Sequence, residues 1–217
     1  MAAAVTGLQL SQIEIRLDEA KLFGIDAHVA PGTVLTVMGP SGSGKSTLLG
    51  FLGGFLPKAF SASGRVEIDG RDITTLPPQA RGAGLLFQDA LLFPHMSVLG
   101  NLLFAIPPAV KPRAAREAAA EKALTEMGLE TFGPRHPDTL SGGQRARVAL
   151  ARTLLSQPRF LLLDEPFSRL DAPLRAQARA LVFSEAQKRA LPVVLVTHDR
   201  ADAEAADGPV IEIGTAA

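Results

Sequence analysis

A strand-forming run, Val34-Leu35-Thr36-Val37-Met38, enters Gly39-Pro40-Ser41-Gly42-Ser43-Gly44-Lys45-Ser46-Thr47, and a helix-forming run continues to Leu52. The spacing is G-x-x-x-x-G-K-[ST] between a strand and a helix, the setting in which it forms a phosphate-binding loop rather than an ordinary glycine turn. Gly39, Gly42 and Gly44 let backbone N–H groups close around a polyphosphate, since no Cβ stands in the way. The helix beginning near Gly44 aims its positive dipole end at the same anion. Lys45 adds a point charge for the β- and γ-phosphates, and Ser46 offers an oxygen to Mg²⁺.

The rest of the chain narrows the setting. Its 217 residues suffice for one domain of good size, and a 47% hydrophobic content supplies a core. Lys+Arg equals Asp+Glu, so no basic surplus points to a nucleic-acid partner. With no Cys there is no disulfide framework and no thiolate metal site; a reducing cytoplasm is compatible. Met1–Thr6 lacks the basic and apolar regions of a signal peptide. The most apolar long window, 90–110, is broken by Pro94, His95, Asn101, Pro107 and Pro108, which excludes a membrane span there.

Residues 8–17 alternate with period two, with a slip near Ser11, and 22–29 read as a second strand. Arg65–Ile68 alternates again and ends in Asp69-Gly70, a hairpin signal. Gly84–Phe87 is another apolar run. From about 95 to 157 the pattern is helical, most clearly over 113–127 and from the cap Ser141 to about Ser156. Phe160–Leu163 and Val193–Val196 are continuous apolar runs, the mark of parallel strands buried on both faces. Helices over 172–189 and 200–206 and a strand over 209–213 complete an α/β alternation around a parallel sheet.

Asp164-Glu165 ends one buried strand, and ligands in such sheets lie at the strands' carboxyl ends. Alone the pair reads as a cap or loop acid. Beside a phosphate loop, Asp164 suits Mg²⁺ and Glu165 suits orienting or deprotonating water. Leu140-Ser141-Gly142-Gly143-Gln144 is a second glycine-rich helix start, built on the same anion-binding physics. One nucleotide does not need two such devices from one chain, which points to a second subunit.

These residues resemble the ATP-binding subunit of bacterial ABC transporters. The motifs follow that family's order: phosphate loop 39–46, Q-loop Gln88, signature 140–144, Walker B 160–164 with Glu165, D-loop Ser168-Arg169-Leu170-Asp171, and switch His198. The resemblance implies one ABC ATPase domain over 1–217 with a P-loop NTPase core and a mostly parallel sheet. Residues 1–88 and 158–217 would form the RecA-like core with an N-terminal antiparallel β subdomain, and about 89–157 the inserted α-helical subdomain. It also implies ATP and Mg²⁺ as ligands. Residues 39–47 would hold the phosphates, and Ser46, Gln88 and Asp164 the metal. Lys45, Glu165 and His198 would carry the chemistry. In a head-to-tail pair, Ser141, Gly142, Gly143, Gln144 and Asp171 of one copy would face the nucleotide of the other.

Family members stack the adenine on an aromatic residue, but this chain has no Tyr or Trp, and Phe23 lies too near the loop. The usual spacing falls at Arg16 or Leu17. A guanidinium plane can stack on a base, so Arg16 is either the adenine platform or a solvated strand residue. Leu91, Leu92 and Phe93 resemble the importer groove for a short coupling helix of the membrane subunit; ordinary packing is the alternative. The resemblance thus implies an importer ATPase, peripheral on the cytoplasmic face of the membrane. A separate permease and a periplasmic or extracellular solute-binding protein would be its partners. The chain ends about ten residues after its last helix, which suggests a form without the C-terminal regulatory domain. An exporter component, or a mechanical ABC ATPase outside transport, is the alternative reading.

Overall fold

Alternation in the first third of the chain produces an antiparallel sheet. The computed structural model describes residues 6–214, so the signal-peptide reading at residues 1–5 lies outside the described residues. Strands β1 (Leu8–Leu17), β2 (Ala20–Val29), β4 (Phe60–Ile68) and β5 (Arg71–Asp72) pair in the order β2-β1-β4-β5. Leu8 and Leu10 are buried, and so are Ile13 and Ile15 after a register shift between Leu10 and Ile13. That shift is the slip near Ser11. Gln12, at φ 51°, absorbs the extra residue and returns the apolar side chains to the core face. Leu17, at the strand's end, is exposed.

The second sheet has the order β6-β7-β8-β3-β9, with β3 (Val34–Met38), β6 (Ala83–Leu86), β7 (Phe160–Asp164), β8 (Val193–Thr197) and β9 (Val210–Glu212). Strand β8 lies between β7 and β3 and is parallel to both, and β9 is parallel to β3. All five residues of β8 are buried, as are Phe160 to Leu163, matching the unbroken apolar runs. Helix α1 (Lys45–Gly53) follows β3 and packs between the sheets: Leu48 and Leu52 share one core cluster with Ile15, Val66, Ile68, Leu162 and Val194. Each fully buried aliphatic side chain contributes about 1.5–3 kcal/mol.

The far end of α1 is tied down from a distance. Arg81 closes the short helix α2 (Pro78–Arg81). Its Nη1 donates to the carbonyls of Phe51 at 2.7 Å and Leu52 at 3.1 Å, and its Nε and Nη2 to Leu76 and Thr74. The last carbonyls of a helix have no partner of their own, and a cation there also complements the dipole.

The chain divides into two compact units, the first within Met1–Leu85, Arg159–Glu165 and Arg179–Ala217, the second within Leu86–Pro158 and Pro166–Ala178. The second unit contains α3 (Val98–Ala105), α4 (Arg113–Glu126), α5 (Gly142–Leu155) and the first turns of α6 (Ala172–Lys188). Buried Asn101 on α3 bonds the backbone of Phe93 through both its amide oxygen and its nitrogen, fixing the preceding loop. Arg147 donates to Met127 O at 2.8 Å and so caps α4. Helix α7 (Arg200–Ala206) belongs to the first unit. Among the described residues no helix is long and apolar enough to cross a membrane.

Candidate functional site

The phosphate loop leaves β3 in a shape only glycine allows at two points. A Cβ on Gly39 would lie 2.5 Å from Ile213 O. Gly44 has φ +89°, and a Cβ there would lie 2.9 Å from the Phe23 ring. Phe23 is therefore part of the floor under the loop, and only 8% exposed. Lys45 is buried, and its ammonium donates to Gly39 O at 2.7 Å and Pro40 O at 2.8 Å. An ammonium has three donors, so one remains after these two bonds. Ser43 Oγ is buried without a partner. An unpaired hydroxyl and a buried cation bonded only to carbonyls fit an anion seated in the loop.

Ser46 Oγ donates to Asp164 Oδ1 at 2.9 Å, which sets two hard oxygens side by side at the ends of α1 and β7. Burial raises the Asp164 pKa, the Ser46 bond opposes that rise, and neighbouring Glu165 adds to it. A partly buried carboxylate that resists ionisation gains from a cation. One carboxylate, one hydroxyl and substrate phosphates fit the octahedral oxygen set of Mg²⁺.

Glu165 departs from the strand with φ 45°. Its N–H donates to Val196 O at 3.0 Å, which holds the unusual backbone against β8. Its Oε1 then lies 3.1 Å from Nδ1 of His198, two residues beyond Val196. Left-handed backbone outside glycine costs about 1–3 kcal/mol and tends to occur where geometry is needed for function.

Arg16 lies near the end of β1, exposed, with Nε on Glu14 Oε1 at 2.6 Å and Nη1 on Glu19 O at 3.3 Å. In the second unit, Ser141 caps α5. Its hydroxyl accepts from Gln144 N at 3.3 Å, and Gln144 Oε1 accepts from Ser141 N at 2.9 Å. Both bonds use acceptor oxygens, so the Ser141 O–H and the Gln144 amide N–H groups are not used in this cap. A Cβ on Gly143 would press 3.1 Å from Leu174 Cδ2. Asp171 caps α6 by accepting from Leu174 N at 3.0 Å. Gln88 is exposed beside Asp89, which pairs with Arg169.

Three arginines that shape these regions carried no sequence signal. Arg81 anchors α1, Arg152 donates to Ala90 O and Leu91 O, and Arg179 bonds Asp199 and Asp202. Each acts across a separation along the chain that local pattern cannot register.

A family model described as ABC transporter matches residues 22–168. The chain belongs to the ABC transporter family. Among ABC transporter relatives, it is 48% identical to the uncharacterized ABC transporter ATP-binding protein YnjD of Escherichia coli (strain K12), over 95% of this chain and 94% of the relative. It is 44% identical to the thiamine import ATP-binding protein ThiQ of Vibrio vulnificus (strain YJ016), over 85% of this chain and 77% of that protein. The sulfate/thiosulfate import ATP-binding protein CysA of Mycobacterium bovis is 42% identical over 86% of this chain but 52% of its own length. The family match gives a common origin to motifs that the structure distributes over strand ends and helix starts.

Proposed function

We propose that this chain is the ATP-hydrolysing motor subunit of a membrane import system. The observation that carries the reading is the gathering of Lys45, Ser46, Asp164, Glu165 and His198 at the carboxyl ends of β3, β7 and β8. Relatives named as import ATP-binding proteins for thiamine and for sulfate support the direction of transport.

The residues act as follows. Backbone N–H groups of the loop 39–47, which Pro40 lacks, and the Lys45 ammonium bind the β- and γ-phosphates. Ser46 and Asp164 would hold Mg²⁺, and the ion would supply positive charge to the phosphates during transfer. Glu165 takes a proton from the attacking water while the bond between the β- and γ-phosphates breaks, releasing ADP and phosphate. His198 Nδ1 lies 3.1 Å from Glu165 Oε1 and orients the carboxylate, and the same side chain is proposed to contact the γ-phosphate. A second copy presents the α5 start with Ser141, Gly142, Gly143 and Gln144, and Asp171 beside it. Only ATP carries the γ-phosphate that bridges the two copies, so the pair closes on ATP and opens on ADP.

The permease is proposed to dock at the exposed apolar cluster of the second unit. Leu91 is 58% and Phe104 64% exposed, and Phe104 meets Phe93 edge-on at 4.9 Å. Arg152 holds the Leu91 backbone at φ 44°. Changing Leu91 and Phe104 to Glu together is expected to weaken permease association by about 30-fold, as loss of a central apolar anchor does. ATP affinity of the isolated chain stays as it was. Unchanged association in a pull-down titration would make the cluster ordinary surface.

Arg16 is the proposed base platform. Its two bonds fix the guanidinium plane, which leaves stacking as its contribution. Arg16→Ala is expected to weaken ATP binding about two- to fivefold, as an exposed cation–π contact would. Equal affinity in the variant, with GTP measured beside ATP, would return Arg16 to a solvated strand residue.

The reading as a whole is tested by co-purifying the membrane partner and reconstituting both in vesicles with ATP on one face. Solute gathering on the ATP side is the expected result. Gathering on the opposite side marks an exporter, and the lack of any membrane partner marks a mechanical ATPase.

A further inference from the structure

His198 is exposed, yet the residues on either side of it are held by a buried polar network. Thr197 precedes it and Asp199 follows it. Thr197 is 1% exposed, and Asp202, on the first turn of α7, is 2% exposed. Thr197 Oγ1 donates to Asp202 Oδ2 at 2.7 Å and accepts from Asp199 N at 3.0 Å. Asp199 Oδ1 accepts from Ala201 N at 2.9 Å and starts α7. One guanidinium closes the circuit. Arg179, on α6, donates through Nε to Asp202 Oδ1 and through Nη2 to Asp199 Oδ2 at 3.1 Å.

We propose that Arg179 is a positioning residue for ATP hydrolysis, which sets the backbone at Thr197–Asp199 so that His198 Nδ1 meets Glu165. The proposal rests on the reading of His198 and Glu165 given above. A guanidinium is planar and keeps its charge, and its fork can serve two carboxylates in one fixed geometry. Asp202 and Asp199 are thereby held four and one positions from the imidazole-facing bend, and Thr197 is drawn in through its hydroxyl. His198 itself has 55% of its side chain exposed, so packing does little to aim it. Its aim comes from its flanks. Among the described residues, none of the circuit's bonds given above reaches the phosphate loop, Ser46 or Asp164. Nucleotide binding should therefore survive its loss while turnover does not.

The experiment compares Arg179→Met, Arg179→Lys, Thr197→Val and His198→Ala in the full chain, together with the double variant of Arg179→Met and His198→Ala. Steady-state ATP hydrolysis and nucleotide affinity are measured for each. Arg179→Met is expected to lower kcat by on the order of 10²-fold, the cost of an ångström-scale misplacement. The nucleotide Kd should stay within about twofold of wild type, because the phosphate contacts are separate. Arg179→Lys, with a charge but no fork, recovers part of the rate. In the His198→Ala background Arg179→Met has no further effect, since residues that act as one unit are not additive. Thr197→Val removes only the hydroxyl and reports the same effect if Arg179→Met does not fold. A folded Arg179→Met or Thr197→Val with wild-type kcat, beside an inactive His198→Ala, overturns the positioning role alone. So does a loss that adds in full to that of His198→Ala. A fully active His198→Ala overturns the reading of the site and this proposal with it.

Discussion

Glu165→Gln should leave ATP bound and unhydrolysed. The amide keeps the size of the side chain and one oxygen for His198, so the fold and the phosphate loop are undisturbed. What it loses is the capacity to take a proton from water. General-base assistance contributes about 10²–10⁴-fold, and turnover should fall by that factor. The backbone makes Glu165 a specific choice among the nearby acids. Its left-handed conformation, pinned by the bond to Val196 O, turns its carboxylate toward Nδ1 of His198 at 3.1 Å, while Asp164 next to it faces Ser46. Adjacent carboxylates thus point to different partners, which fits the different roles proposed for them. Blocked hydrolysis should also trap the ATP-bound pair of copies, so sedimentation of the variant with ATP should report a dimer that ADP does not support. Near-normal phosphate release by Glu165→Gln would remove Glu165 from the role of base.

Much of the architecture was legible because its causes are local. Period two marks β1 and its slip, since a one-residue insertion must be absorbed before the apolar face can return. Continuous apolar runs mark β7 and β8, since only a strand covered on both faces needs them. Helix α7 follows its cap, Asp199, over the expected residues 200–206. The first half of β4 was nearly silent: Phe60-Ser61-Ala62-Ser63-Gly64 offers only a short alternation of mostly small residues and is mostly exposed, and it becomes a strand by pairing with β1. Within the site, sequence order named Ser46, Asp164, Glu165 and His198, but not the bonds between them. Those depend on where β7 and β8 end relative to α1, and on a φ at Glu165 that no residue preference announces. The arginine contacts were invisible for the same reason. A guanidinium reaching carbonyls 29 or 30 residues away follows from the fold and is not written in any window of sequence.

Arg81→Ala should be the most destabilising single change outside the apolar core. Arg81 is 6% exposed, and the carbonyls of Phe51, Leu52, Leu76 and Thr74 all accept from it. Among the described residues it makes no ion pair; backbone dipoles take the place of a carboxylate, and burial lowers its pKa without discharging so strong a base. Phe51 O keeps the Gly54 N–H at 3.2 Å, but each other buried acceptor left without a donor costs about 1–3 kcal/mol, and water entering the vacated space recovers part of it. A net loss of about 3–5 kcal/mol follows, comparable to breaking a buried charge network. For a domain of this size each kcal/mol moves Tm by about 2–4 °C, so a fall of about 6–20 °C is expected in thermal unfolding. Arg81→Lys should recover less than half, since one ammonium cannot reach four carbonyls spread over two chain segments. The consequence extends to the nucleotide. Helix α1 presents Lys45 and Ser46 at its first turn, and the Arg81 bonds to Phe51 O and Leu52 O grip its last turn. Loosening that end lets the helix tilt, so ATP should restore more stability to wild type than to Arg81→Ala at the same nucleotide concentration. An equal ATP-induced rise in Tm in both proteins would separate the cap from the phosphate loop, leaving Arg81 a purely structural anchor.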